Sequence, residues 1–165
     1  MEKYLTWTKG LFDSDYQIFE QGRIKNSLLF NSWKNEARSV GLQQNFLFTT
    51  QGFTNPTTTI YDDKNAILGT ITYNSWQTKA TLTLASGSQM AWSFTNGWLS
   101  NWMITNFNDK QINYNSSSTS GTIISNTDDE LMLLAGIFIK EYYTRIFILL
   151  VMMVVFIPIF TRSMF

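Results

Sequence analysis

Two adjacent apolar stretches near the C-terminus constrain this chain more than any other feature. The first, Leu131–Ile139, reads LMLLAGIFI and contains no polar side chain. The second, Ile146–Phe160, reads IFILLVMMVVFIPIF and contains no charge, and Lys140–Arg145 (KEYYTR) separates the two. A helix that is apolar on every face must be covered by protein or by lipid. Each stretch therefore needs surroundings that keep it away from water.

The residues before Asp128 have the pattern of a β-sheet protein. Seven short segments are rich in Thr, aromatic and branched residues, and several of them alternate apolar and polar positions. These segments are Phe46–Thr50, Thr57–Tyr61, Ile67–Tyr73, Lys79–Leu84, Gln89–Phe94, Trp102–Phe107 and Gly121–Ser125. Turn residues separate them, and the polar run Asn115–Ser120 (NSSSTS) predicts a loop.

A weak internal repeat runs through this part of the chain. Asn31–Trp33 recurs as Asn74–Trp76 at an offset of 43 residues, and Tyr61–Lys64 recurs as Phe107–Lys110 at an offset of 46. Chance accounts for any single pair, but several pairs in one order favour three copies of a unit of about four strands. About twelve antiparallel strands tend to close into a barrel, and a barrel that wide cannot be filled by its own side chains.

The first apolar stretch is the predicted filling of this barrel. Asp128–Glu130 provides acidic residues that suit the start of a helix. The stretch rises only about 14 Å, which is short of the ~20 residues needed to cross a bilayer. We therefore expect a central helix over about residues 129–143, with Gly136 allowing strands to approach it. Lys140 and Glu141 are expected to mark the point where the helix leaves the core.

The order of these features resembles a known family. The segments that carry the resemblance are Ile60–Asp63, Leu68–Ile71, Gly121–Ile124 and Asp129–Tyr143. They resemble the Tubby C-terminal-like superfamily, which includes LURP-one-related proteins and phospholipid scramblases, over about residues 4–144. The resemblance implies a mainly β fold, a twelve-stranded antiparallel barrel threaded by a hydrophobic C-terminal helix. The likeness to scramblases implies lipid binding or lipid movement.

The second apolar stretch predicts a transmembrane segment that continues from the central helix. A twenty-residue window, Tyr142–Thr161, has Arg145 near its edge as its only charge. Tyr142, Tyr143 and Phe160 near its ends resemble interfacial aromatic anchors. Two alternatives stay open: the second stretch fills the barrel while the first lies outside it, or the second stretch packs on a partner in an oligomer.

These expectations give two parts and an orientation. Residues 1–144 form the barrel, and residues 145–165 form a C-terminal, single-pass membrane anchor. Lys140 and Arg145 lie on the barrel side of the anchor and only Arg162 lies beyond it, which slightly favours a cytosolic barrel. The N-terminal residues lack the apolar region of a secretory signal, so a tail-anchored protein is expected.

Composition argues against most kinds of enzyme. The chain has no cysteine and no histidine, which excludes disulfides, thiolate nucleophiles, histidine catalysis and the common zinc sites. Its formal net charge is zero, and no basic excess marks a nucleic-acid-binding protein. No P-loop, nucleophile-elbow or dinucleotide-binding pattern occurs. We therefore expect no cofactor, no metal and no enzymatic activity.

The expected function is a membrane-anchored scaffold or accessory subunit of a membrane complex, with membrane lipid and integral membrane proteins as partners. The alternative is a lipid-binding or scramblase-like protein, in which Lys140 and Arg145 contact lipid headgroups. An enzyme is the least favoured option. Trp98 and Trp102 are candidates for an exposed aromatic patch, although most of the six tryptophans are expected in the barrel core or wall.

Overall fold

In the computed structural model, the described residues form twelve antiparallel strands that close around one helix. The structure describes residues 2–10, 14–31, 34–41, 43–52, 54–74 and 78–162, with no side chains for 157–162. The strands are β1 Lys3–Lys9, β2 Tyr16–Glu20, β3 Arg23–Asn31, β4 Glu36–Gly41, β5 Leu47–Gln51, β6 Thr57–Tyr61, β7 Ile67–Tyr73, β8 Lys79–Leu84, β9 Gln89–Phe94, β10 Asn101–Thr105, β11 Gln111–Ser117 and β12 Ser120–Ser125. Each strand pairs with its neighbour in sequence, and β1 pairs with β12 to close the barrel.

Alternation of side chains builds the barrel wall. In β1, Leu5 and Trp7 point inward and are buried, whereas the alternating residues Tyr4, Thr6 and Thr8 are exposed. This is the period-2 pattern of a sheet with one buried face. The seven strands predicted from the sequence are confirmed, with bounds that differ by no more than two residues.

The predicted loop at Asn115–Ser120 is wrong for most of its length. Asn115–Ser117 belongs to β11, and Ser120 begins β12, so only Ser118 and Thr119 form the turn. A strand forms there because Tyr114 and Ile123 face each other on the buried side, which places the polar residues on the outer side or at the hairpin tip.

The strand positions fit the internal repeat. The strands β1, β5 and β9 begin at Lys3, Leu47 and Gln89, which are spaced by 44 and 42 residues. The pairing register also shifts at equivalent places in the first two units, between Ile18 and Phe19 and between Ile60 and Tyr61. Twelve strands are therefore three copies of a four-stranded meander.

The helix α1, Glu130–Arg162, begins inside the barrel. Asp129 caps it, since its side-chain oxygen Oδ1 accepts a hydrogen bond of 3.0 Å from the backbone N–H of Met132. Residues 132–139 are all buried, and none is more than 4% exposed. The predicted central helix is confirmed, and the alternative in which the second apolar stretch fills the barrel is wrong.

The predicted exit point of the helix is wrong. The residues expected to mark it, Lys140 and Glu141, are only 8% and 2% exposed, and Tyr143 is also buried. The hydroxyl of Tyr143 donates a hydrogen bond of 2.5 Å to the carbonyl oxygen of Lys79 at the start of β8. Polar groups at the strand ends bind Glu141 and Tyr143, so the barrel encloses about one further turn of helix.

Beyond Ile146 the same helix is exposed and apolar. Residues 147–156 are all large hydrophobic residues with exposures between 43% and 74%. Of the predicted anchor, residues 145–165, the side chains of residues 157–162 and the whole of residues 163–165 lie outside the described part. Among the residues that the structure describes, no helix has the length and apolarity needed to cross a membrane.

Candidate functional site

The end of the barrel where α1 emerges collects most of the buried charge, and we call it the exit end. The strands β1 and β3 end there, and β2 and β4 begin there, because neighbouring strands are antiparallel. Glu141 is the centre of the charge cluster. Its carboxylate accepts hydrogen bonds from the Tyr16 hydroxyl at 2.7 Å and from the Lys9 ammonium at 3.0 Å, and Nε of Arg145 lies 3.4 Å away.

Glu141 stays ionised in this environment. Burial alone would raise the pKa of its carboxyl, but the Lys9 charge and the hydrogen bonds from Tyr16 and Lys9 hold the pKa below its usual range. The same contact acts on Tyr16, where burial and the Glu141 charge raise the pKa of the phenol well above its usual value. The carboxylate therefore acts as a fixed negative charge that three neighbouring groups share.

Lys140 is the second buried charge at the exit end, and none of the described carboxylates forms an ion pair with it. Its ammonium lies 5.7 Å from the centre of the Trp102 ring, and no described residue accepts a hydrogen bond from it. Burial and the nearby Lys9 charge, opposed by Glu141, lower the pKa of Lys140 to about 8. A cation that keeps its charge at neutral pH is thus largely withdrawn from water, with the Glu141 charge nearby but with no ion pair in the described part of the chain.

Lys140 faces a cleft beside the emerging helix, which we call the exit cleft. It has a volume of ≈ 400 Å³. Its lining includes the apolar side chains of Phe94, Trp98 and Phe147 and the hydroxyl-bearing residues Ser116 and Ser118. The exit cleft thus joins a buried cation and hydroxyl donors to the first exposed residue of the apolar helix.

A second cleft lies on another side of the helix. It has a volume of ≈ 380 Å³, and its lining includes Phe30, Phe138, Arg145 and Leu149. The guanidinium of Arg145 lies 4.7 Å from the centre of the Phe30 ring, and its buried Nη2 atom has no hydrogen-bond partner among the described residues. Since Nε of Arg145 already contacts Glu141, this cation is partly neutralised.

The four residues predicted to form functional sites lie in different surroundings in the structure. Lys140 and Arg145 both lie at the exit end, but they face different clefts. Trp98 is 91% exposed in the loop between β9 and β10, whereas Trp102 is 1% exposed and stacks on Tyr114. The predicted exposed patch is therefore wrong for Trp102, because β10 turns that side chain toward the barrel interior.

Sequence reasoning missed four polar residues of the exit end: Lys9, Tyr16, Ser116 and Ser118. No local pattern marks them, because their proximity depends on how the ends of distant strands meet the helix. Among the described residues, no group of three or more acidic side chains is placed to hold a metal ion.

Comparisons with protein-family models, with curated proteins and with solved structures gave no match for this chain.

Proposed function

We propose that this protein is a non-enzymatic scaffold or accessory subunit that the C-terminal helix anchors in a membrane. The observation that carries the proposal is the exposed apolar segment, residues 147–156, which continues the buried helix without a break. A water-exposed helix of that composition is unfavourable, so the segment needs a cover. One continuous helix, α1, thus runs from the barrel interior to the segment that needs a cover.

Lipid is the cover that fits this segment best. Every residue from Phe147 to Phe156 is hydrophobic, so the helix offers no polar face to water. A helix that packs on a soluble partner normally keeps such a face. Together with the sequence of residues 157–160, the apolar length is about 21 Å, which is shorter than the ~30 Å hydrocarbon core. The proposed insertion therefore requires a locally thinned bilayer or partner helices.

The barrel itself supports a scaffold more than a carrier. Residues 132–139 of the helix are buried in the barrel interior, so the space where a carrier would hold its ligand is occupied by the helix. The outer wall and the strand-connecting turns remain available to partners. The proposal includes kinship with the Tubby C-terminal-like superfamily, to which the twelve-stranded barrel around a helix conforms. It also keeps the cytosolic orientation that the basic residues at the exit end favour.

Purification of the full chain from membranes in a mild detergent tests the proposal. We expect integral membrane proteins to co-purify in defined ratio with the chain. A shortened chain that ends at Arg145 shows which part binds them, because partners held by the barrel remain and partners held by the helix are lost. A full-length protein that runs as a monomer with no co-purifying protein contradicts the subunit proposal.

Lipid binding is a second candidate, and the exit cleft favours it. The cleft opens beside Phe147, where the helix becomes exposed, and contains the cation that the sequence predicted to contact headgroups, Lys140. The filled barrel interior offers no path for a lipid to pass through it, so binding is better supported than scramblase-like movement between leaflets.

A further inference from the structure

Three cations of the exit end lie near the same buried carboxylate. The cations are Lys9, Lys140 and Arg145, and the carboxylate is that of Glu141. That carboxylate already accepts from Lys9 and Tyr16 and contacts Arg145. Lys140 is 8% exposed and lines the exit cleft, and a charge that is largely removed from water favours an anion bound beside it.

The exit cleft has the donors that an anion needs. Lys140 lines it together with Ser116 and Ser118, whose hydroxyls make no hydrogen bond to the described residues. The hydroxyl of Thr144 is already used, since it donates to the carbonyl oxygen of Lys140 at 2.9 Å. One ammonium and two free hydroxyls match the oxygens of a phosphate group, which accept several hydrogen bonds at once.

The apolar part of the cleft lining fits an apolar chain. Phe94, Trp98 and Phe147 belong to it, and Phe147 is the first exposed residue of the apolar helix segment. A ligand seated on Lys140 would thus have its apolar part beside the segment that we propose to enter lipid. The volume of ≈ 400 Å³ lies in the range of ordinary ligand sites, about 300–1,000 Å³.

We propose that the exit cleft binds the phosphate group of a membrane phospholipid, with Lys140 as the counter-charge and with Ser116 and Ser118 as hydrogen-bond donors. The inference rests on the proposed membrane anchoring, because the helix brings the cleft to the level of the headgroups. Free phosphate shares the recognised chemistry, and the experiment distinguishes it from lipid.

The site has a predicted pH dependence. The charged groups near Lys140 are Lys9 from β1, whose charge lowers the pKa of Lys140, and Glu141 from α1, whose charge raises it. Lys140 loses its proton as the pH rises through about 8. Phosphate binding should therefore be strong at pH 6.5 and should weaken above about pH 8, the reverse of what titration of the ligand phosphate alone would give.

Calorimetric titration of the full chain in a non-ionic detergent tests the proposal. The probes are short-chain phosphatidic acid, short-chain diacylglycerol without phosphate, and inorganic phosphate. The variant Lys140→Met removes the charge at similar length, and Lys79→Met is its control, because Lys79 is an exposed lysine of the exit end outside the cleft. The double variant Ser116→Ala/Ser118→Ala tests the site without touching the buried charge.

We expect phosphatidic acid to bind, diacylglycerol not to bind, and Lys140→Met to weaken binding about tenfold or more, since a charged hydrogen bond is lost. The serine variant should weaken binding less, and Lys79→Met should leave it unchanged. If inorganic phosphate binds as tightly as phosphatidic acid, the cleft is an anion site, but its ligand is a soluble phosphate and not a lipid. Equal binding by wild type and both cleft variants, or no binding of any phosphate probe, overturns the proposal.

Vesicle flotation separates this proposal from membrane anchoring. On vesicles of neutral lipid, both wild type and Lys140→Met should float, because the apolar helix is unchanged. Loss of flotation by wild type contradicts the anchor, whereas flotation combined with Lys140-independent phosphate binding contradicts only the cleft.

Discussion

At the scale of single residues, Gly136 shows how closely the helix and the barrel wall approach. A Cβ atom at this position would lie 2.5 Å from the Cζ atom of the Tyr114 ring, far inside van der Waals contact. The hydroxyl of Tyr114 meanwhile donates to the carbonyl oxygen of Leu133 at 2.9 Å, and the indole of Trp92 donates to that of Gly136 at 3.0 Å. Side chains of β11 and β9 thus bind backbone carbonyl groups of the helix near Gly136, where the helix and the wall are in close contact.

We predict that Gly136→Ala destabilises the protein by about 1–3 kcal/mol, as overpacking of a filled core typically does. Chemical unfolding of the full chain in non-ionic detergent, followed by circular dichroism, measures the change. Tyr114→Phe relieves part of the clash, so the double variant Gly136→Ala/Tyr114→Phe should lose less than the sum of the single variants. Strict additivity would contradict the contact.

Glu141 gives the second prediction at this scale. Glu141→Gln leaves Lys9 and Arg145 without their shared carboxylate and should cost about 3 kcal/mol, the usual penalty for breaking a buried pair. Glu2→Gln, the same change at an exposed residue, is the control. Unfolding midpoints that are equal for both variants would show that the cluster does not stabilise the fold.

The acid dependence of Glu141 follows from its lowered pKa. A folded-state pKa below the unfolded value of 4.5 means that the carboxylate contributes stability fully above pH 4.5. That contribution is lost as the pH falls through the lower folded-state pKa. Thermal unfolding of wild type between pH 6 and pH 3 should show this loss, and Glu141→Gln should lack that part of it.

At the scale of elements, substitutions in the exposed half of α1 can show whether lipid or a partner protein covers it. Successive helix positions differ by about 100°, so single lysines at Leu150, Val151, Met152 and Met153 sample all sides of the helix. A lysine in the apolar core of a bilayer costs about 2.5–3.5 kcal/mol. We predict that all four variants reduce vesicle flotation of the full chain.

The control for this series is Asn113→Lys, which adds the same charge on the outer face of β11 and should leave flotation unchanged. A loss confined to one or two adjacent sides of the helix would contradict lipid as the cover. Such a pattern would instead identify the face that packs on a partner protein.

The elements also show what the sequence could predict. The strands from Leu47 to Phe94 follow from alternation, because one face of each is buried. The strand β11 escapes that pattern, since only Ile112 and Tyr114 of its seven residues are buried and the rest are polar. The exit cleft was beyond local patterns altogether. Lys140 meets Trp102 through the rotational setting of the helix in the barrel, which no spacing along the chain encodes.

At the scale of the whole molecule, the helix is both the core of the barrel and its anchor. Six large apolar side chains between Met132 and Ile139 are at most 4% exposed, and each stabilises by about 1.5–3 kcal/mol when buried. Together they contribute on the order of 10 kcal/mol, comparable with the ~5–15 kcal/mol net stability of a domain. The barrel therefore depends on the first part of the helix, whereas the exposed part contributes little to its core.

Two truncations test this division. A chain cut after Arg145 keeps the buried helix, the Tyr143 contact and the Glu141 cluster, so it should fold cooperatively, stay in solution and no longer float with vesicles. A chain cut after Asp128 loses the filling of the barrel and should aggregate or give only a broad, non-cooperative transition. Circular dichroism melting and sedimentation distinguish these results. A folded shorter chain would show that the barrel closes without the helix, and a collapsed longer chain would show that the exposed segment also supports the core. Either result would contradict the separation of one helix into a buried half that holds the barrel and an exposed half that holds the membrane.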